Sequence, residues 1–199
     1  MIRKRIILGI TGGFGTGKST VAGLLKTFGA ELIDADKIAH VVIKPKTSAY
    51  RKIIKVFGPC ILDKNKLIDR KRLSAIVFDK KGFLIKLNSI VHPAVAKAIK
   101  QRIKHSVKDV IVLDVPLLFE ARLENLVDKI IVVKASVSKQ IARLSGRTRL
   151  SEEEIKKRIN SQLPLSVKVR KADFVIDNNG SIEKTKKQLE QLRRRLWKS

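Results

Sequence analysis

Ile6, Ile7 and Leu8 form an apolar run that leads almost without a break into Gly9 to Thr20, GITGGFGTGKST. Within it, Gly12-x4-Gly17-Lys18-Ser19 has the spacing of a phosphate-binding loop, a motif that needs a strand before it and a helix after it. The glycines let the backbone fold back so that successive N–H groups point inward at phosphate oxygens, and the N-terminus of the following helix adds a favourable dipole. Gly13, Phe14, Gly15, Thr16, Gly17, Lys18, Ser19 and Thr20 are therefore the expected contacts to a nucleoside triphosphate. Lys18 would reach the outer phosphates as a mobile cation. The Ser19 hydroxyl suits a magnesium ion otherwise held by phosphate oxygens and water.

A strand–loop–helix start commits the chain to an α/β architecture, and the remaining apolar runs agree. Arg5 to Ile10, Ala30 to Asp34, Val110 to Val115, Lys129 to Val133 and Phe174 to Ile176 are short and rich in Ile, Val or Leu. Near-continuous runs of this kind suit strands buried on both faces. Helical patterns lie between them: Lys18 to Phe28, Ser48 to Phe57, and a long stretch from Arg70 to about His105. Ser151 with Glu154 forms a capping box, and Ser181 precedes a helix whose Ile182, Thr185, Leu189, Leu192 and Leu196 recur at helical spacing. The expected fold is a five-stranded parallel, doubly wound sheet in a single domain of 199 residues. A helical insertion is expected after its second strand.

Other features limit the function classes. The chain carries 44 Lys plus Arg against 18 Asp plus Glu, a formal charge of +26, which raises nucleic acid as a partner. The basic residues are spread along the chain without aromatic interleaving, a pattern that a small polyanionic substrate would equally satisfy. Asn65-Lys66-Leu67-Ile68, with Asp69 one residue out of place, fails the guanine-reading spacing. The lone Cys60 has no Cys or His partner at metal-ligand spacing, which suits a reducing compartment. The basic head of MIRKRIILGITGG is followed by an apolar run too short for a signal peptide, and no segment reaches the length of a membrane span. A soluble cytoplasmic protein is expected.

Three constellations extend the loop. Asp34-Ala35-Asp36 closes the second strand at the carboxyl edge where open α/β sheets bind ligands. Asp36 could cap a helix starting at Lys37 or steer an acceptor hydroxyl and take its proton. Val110 to Asp114 is an apolar strand ending in an acid, so Asp114 reads either as a magnesium-positioning carboxylate or as a turn residue before Pro116. In QIARLSGRTR, Gln140 to Arg149, the i, i+4 spacing sets Arg143 and Arg147 on one helical face. There they could clamp a triphosphate or stand in solvent. Gly146 between them suggests a hinge.

GITGGFGTGKST, LIDAD at Leu32 to Asp36, VFGPCIL with LIDRKRLSAIVF, IVHP at Ile90 to Pro93, VPLLFE at Val115 to Glu120, VDKIIVV, Gln140 with Arg143 and Arg147, Gln162, and ADFVIDNNG at Ala172 to Gly180 occur in this order. Together they resemble the dephospho-CoA kinase family nearly end to end. The resemblance implies transfer of the ATP γ-phosphoryl group to the 3′-hydroxyl of dephospho-CoA, with Mg2+ as the metal and Ser19 and Asp114 at it. It also implies Asp36 as general base, Lys18 and Arg143 as catalytic cations, and Arg147 and Asn178 at the nucleotide. The acceptor would meet Asp36, His92 and Glu120, held by the helical insertion at roughly Ile38 to His105, and roughly Ser138 to Lys168 would form a lid. ATP and dephospho-CoA would be the partners of a monomer or weak homo-oligomer, with no obligatory nucleic acid and no membrane. A P-loop kinase of another nucleoside-like acceptor and a nucleic-acid-binding ATPase are the alternatives.

Overall fold

The computed structural model describes residues 5–79 and 81–197. The basic head at residues 1–4 therefore lies outside the described residues. Contacts divide the chain into two compact units, one running to Asp34 and resuming at Ser106, the other spanning Ala35–His105.

The first unit is built on five parallel strands: β1 (Ile6–Gly12), β2 (Glu31–Asp34), β3 (Val110–Asp114), β4 (Lys129–Lys134) and β5 (Phe174–Asp177), in the order β2-β3-β1-β4-β5. In register, Ile10 pairs with Asp114, Asp34 with Asp114, and Gly12 with Val133. Each strand begins and ends within two residues of its expected bounds. Burial confirms the physical reason: Val110 to Asp114 is buried at every position, as a strand covered on both faces must be.

Alternation decides which residues serve which face. Leu8, Ile10, Val110, Val112, Ile131, Val133 and Ile176 point to one side. There they meet Val21, Ala22 and Leu25 of α1 (Lys18–Thr27) and Leu189 and Leu192 of the C-terminal helix, Ile182–Leu196. Burying one such side chain is worth about 1.5–3 kcal/mol. On the other side Gly9 leaves room for Val127, whose methyl carbons lie 3.0 and 3.1 Å from where a Cβ on Gly9 would stand.

The second unit is helical: α2 (Ala35–Val42), α3 (Ser48–Phe57), α4 (Arg70–Asp79) and α5 (Lys81–His105). Its core gathers Ile53, Phe57, Ile61, Leu73 and Val77, with Phe57 and Phe83 edge to face at 5.6 Å. Thr47 caps α3 by accepting the Tyr50 N–H. Helix α2 starts at Ala35, not Lys37, so Asp36 occupies the first turn, where the helix dipole favours a carboxylate, and not the capping position. Pro93 lies inside the 25-residue α5, so His92 is a mid-helix residue.

The rest of the first unit is helical: α6 (Val137–Ser145), α7 (Glu152–Asn160), α8 (Leu165–Arg170) and α9, the Ile182–Leu196 helix. Ser151 and Glu154 form the expected capping box on α7, and the two hydrogen bonds from Ser151 hold the Glu154 carboxyl below its ordinary range. Helix α6 ends at Ser145, so Arg147 lies beyond it, exposed, and the helical spacing with Arg143 does not apply. Gly146 has φ −78°, an ordinary value for any residue. Among the described residues, no helix is long and apolar enough to cross a membrane.

Candidate active site

The glycine-rich loop leaves the carboxyl end of β1, the central strand. Connections leave this end in opposite directions, β1 leading toward β2 and β4 toward β5, and between such strands an open α/β sheet forms its ligand crevice. The loop closes on itself through Thr16, whose N–H and hydroxyl both donate to the Gly13 carbonyl, at 3.3 and 3.0 Å. Gly17 caps α1 in the left-handed region at φ 87°, and a Cβ there would stand 2.1 Å from Asn178 Nδ2. Only glycine satisfies both conditions. Gly12 is equally confined, since a Cβ would approach the Val133 carbonyl oxygen to 2.6 Å. The first N–H groups of α1 have no partner within the helix, which makes its N-terminus an anion site.

Polar side chains from distant parts of the chain hold the outer side of this loop. The Thr16 carbonyl accepts from Asn178 Nδ2 at 2.8 Å and from Arg143 Nη1 at 3.1 Å. Arg143 Nη2 also donates to the Asn178 carbonyl at 2.6 Å, and Asn178 Oδ1 accepts the Thr185 hydroxyl at 2.9 Å. Asn178 is 5% exposed. It and Arg143 were expected at the nucleotide, and the contacts found here are to the loop's backbone. Phe14, at the loop's tip, lies under the Arg158 guanidinium at 5.7 Å. Gln140 is buried in α6 with Nε2 donating to the Ala135 carbonyl, and its Oε1 would lie 3.3 Å from a Cβ on Gly13.

Lys18 pairs with Oδ1 of Asp114. Asp114 is 9% exposed at the end of β3, opposite Asp34 across the register. Ser19 and Thr20, one and two residues after Lys18, are exposed on the first turn of α1. A hydroxyl and a carboxylate are hard oxygen donors of the kind magnesium accepts, and an ion that keeps phosphate oxygens and water needs few protein ligands. No cluster of three or more His, Cys, Asp or Glu residues occurs among the described residues. One hydroxyl and one carboxylate fit a metal whose other positions are filled by phosphate oxygens and water.

Glu120, expected at the acceptor, has a contact that its motif did not reveal. Its Oε1 accepts from Lys168 Nζ at 2.8 Å and from the Leu163 N–H at 3.0 Å.

In the helical unit, Asp36, His40 and Arg70 edge a cavity of about 270 Å3 floored by Ile43, Ile53, Leu73, Leu87 and Val91. Asp36 is exposed. His92 is not among the residues lining this cavity, although its neighbour Val91 is. Partial burial lowers the His92 pKa, which favours the neutral imidazole. An apolar floor with a few charged groups at the mouth is the usual form of a small-molecule site.

The geometry describes a phosphate cradle, and the sequence relationships decide the family. The family model for dephospho-CoA kinase matches residues 6–184. The chain belongs to the dephospho-CoA kinase family. It is 47% identical to the dephospho-CoA kinase of Carboxydothermus hydrogenoformans over 92% of this chain and 90% of that one. A crystal structure of a Thermus thermophilus protein superposes with a TM-score of 0.85 at 30% identity, covering 97% of this chain and 98% of the other. The dephospho-CoA kinase of Campylobacter jejuni gives 0.69 at 32% identity, with 96% of each chain covered. Members of the dephospho-CoA kinase family are kinases, and this chain is an enzyme of that kind. Residues 6–184 take in the loop, Asp36, Asp114, Arg143, Lys168 and Asn178.

Proposed function

We propose that this protein transfers the γ-phosphoryl group of ATP to the 3′-hydroxyl of the ribose in dephospho-CoA, giving coenzyme A and ADP. The observation that carries the reading is the phosphate loop with Lys18 paired to Asp114, in a chain of the dephospho-CoA kinase family. In the reaction the ribose 3′-oxygen forms a bond to the γ-phosphorus, the bond from that phosphorus to the β,γ-bridging oxygen breaks, and the hydroxyl proton leaves.

Each residue has a stated part. The loop from Gly13 to Thr20 holds the phosphates, and Lys18 follows the charge that moves to the leaving oxygen. Arg143 and Asn178 keep the Thr16 carbonyl turned outward, and Arg147 supplies a further cation to the nucleotide. Magnesium, held by Ser19 and Asp114, would neutralise phosphate charge. Asp36, two residues beyond the end of β2, accepts the hydroxyl proton. An ordinary carboxylate has a pKa of about 3.9 and is a weak base, so its main service is to aim the hydroxyl and take the proton late. The acceptor also meets His92 and Glu120. Ser138 to Lys168 closes as a lid.

The reading sets the enzyme in the cytoplasm, in keeping with its single cysteine, as a monomer or weak homo-oligomer without nucleic acid or membrane. The test is an incubation with ATP, magnesium and a panel of dephospho-CoA, adenosine, nucleotides and an oligonucleotide, followed by mass analysis. A phosphorylated product from dephospho-CoA alone is expected. Phosphorylation of another panel member in its place would overturn the assignment.

A further inference from the structure

Lys168 of α8 ends the segment assigned to the lid and, among the described residues, is the largest side chain buried without any exposure, yet the phosphoryl transfer itself does not use it. Its ammonium has three hydrogens and three acceptors: Glu120 Oε1 at 2.8 Å, the Pro116 carbonyl at 3.2 Å and the Gly12 carbonyl at 3.4 Å. We infer that Lys168 is a positioning residue for nucleotide binding, holding the Gly12 carbonyl so that the phosphate loop is built in its binding conformation before the nucleotide arrives. The inference rests on the reading that this loop binds ATP.

The physical case begins with cost. A buried ammonium is tolerated only when paired and fully hydrogen-bonded, and a hydrophobic residue filling the same space would often be as stable. A lysine here therefore calls for a reason beyond packing. Gly12 ends β1 and starts the loop. In a trans peptide the C=O of one residue and the N–H of the next point in opposite directions. Anchoring the Gly12 carbonyl on Lys168 thus fixes the plane of the Gly12–Gly13 peptide and aims the Gly13 N–H away from Lys168. Glu120 neutralises the ammonium, so the effect is one of geometry and not of long-range field.

Two further contacts make this anchor rigid. The Pro116 carbonyl accepts from Lys168 and also from the Thr11 hydroxyl at 2.9 Å, which ties the residue before Gly12 to the same point. Glu120 Oε1 accepts the Leu163 N–H between α7 and α8. Three segments far apart in sequence meet at one side chain, and one of them is the start of the loop.

The experiment measures equilibrium binding of ATP and, separately, of dephospho-CoA to the wild type, to Lys168→Met and to Lys168→Met with Glu120→Gln. The double variant removes the carboxylate that the single variant strands in the interior, and keeps an acceptor for Leu163. Both variants are expected to bind ATP about tenfold more weakly at a stoichiometry of one, the scale of one buried carbonyl losing its partner. In Lys168→Met, which leaves Glu120 in place, dephospho-CoA affinity should change far less than ATP affinity. The double variant should regain melting temperature relative to the single one without regaining ATP affinity. A purely structural lysine predicts the opposite, with unaltered ATP affinity in whatever fraction stays folded, and that result would overturn the inference.

A second measurement needs no substitution. In the wild type the Lys168 15Nζ resonance, protected by burial, should shift on adding ATP. If neither variant folds, the absence of that shift overturns the inference. A wild type that binds no ATP removes the proposed function itself, and that outcome is read before any variant is made.

Discussion

The phosphate loop and the helical cavity are made in opposite ways. Around the loop, backbone carbonyls are gripped by side chains from α6, α8 and the end of β5, with Thr16 held by Asn178 and Arg143 and Gly12 held by Lys168. Around the cavity, the wall is Ile43, Ile53, Leu73, Leu87 and Val91, with polar side chains at Asp36, His40 and Arg70. Phosphates are alike in every nucleotide and are recognised by fixed dipoles, so the cradle must be rigid beforehand. On the proposed reading the cavity takes the acceptor, which is recognised by shape and area and so suits an aliphatic lining. That reading assigns polar preorganisation to the nucleotide and apolar complementarity to the acceptor.

This contrast can be attacked from both sides. Lys18→Ala should lower kcat by about 10³-fold or more, the scale of losing one preorganised charge at the transition state, with the fold intact by circular dichroism. Turnover near that of the wild type would show that the loop's cation is not needed. Asp36→Asn should lower kcat by about 10²-fold with ATP affinity little changed, as removal of a general base does. A loss confined to KM for ATP would instead assign Asp36 to the nucleotide.

Smaller effects sharpen the difference. Asn178→Ala leaves the Thr16 carbonyl and the Thr185 hydroxyl each short of a partner. It should cost about 1–3 kcal/mol in urea unfolding and weaken ATP binding, while KM for the acceptor holds. Ile53→Val, on the cavity floor, should cost about 1 kcal/mol and alter KM for the acceptor alone. If Ile53→Val changed ATP affinity as much as Asn178→Ala did, the division between the units would collapse.

The smallest effect concerns acid. Lys129 bonds the Asp173 carboxylate at 2.7 Å and, with the Ile130 N–H, holds its pKa below the ordinary value against the opposing influence of burial. A depressed folded-state pKa contributes stability that is present above the unfolded value and is lost as pH falls through the folded one. Melting temperature should therefore decline below about pH 4, and Asp173→Asn should flatten that decline. An unchanged acid slope in the variant would show that other carboxylates set it.

Much of the sheet was legible because its signals are local. Five apolar runs became five strands, and the Ser151–Glu154 box became the start of α7, since both depend on neighbours a few residues apart. The start of α2 was missed by two residues because Ala35 and Asp36 are compatible with either a strand end or a first turn. Pro93 was survivable inside α5 because packing across the helical unit outweighs one lost backbone hydrogen bond. Of the candidate site, the strand, glycine-rich turn and helix around the loop were readable, whereas Lys168 was invisible: a lysine in LSVKVR looks like any solvated cation.

By its own sequence this chain determined a parallel α/β core, the position of its phosphate loop and the family to which it belongs, because each rests on short-range pattern and residue order. The tertiary structure alone decided which side chains hold that loop. Asn178 lies 162 residues from Thr16 and Lys168 lies 156 from Gly12, and hydrogen bonds over such separations have no periodic trace for a reader of sequence to follow. They exist only once the sheet has brought the ends of β1 and β5, and the helices packed on them, to one edge.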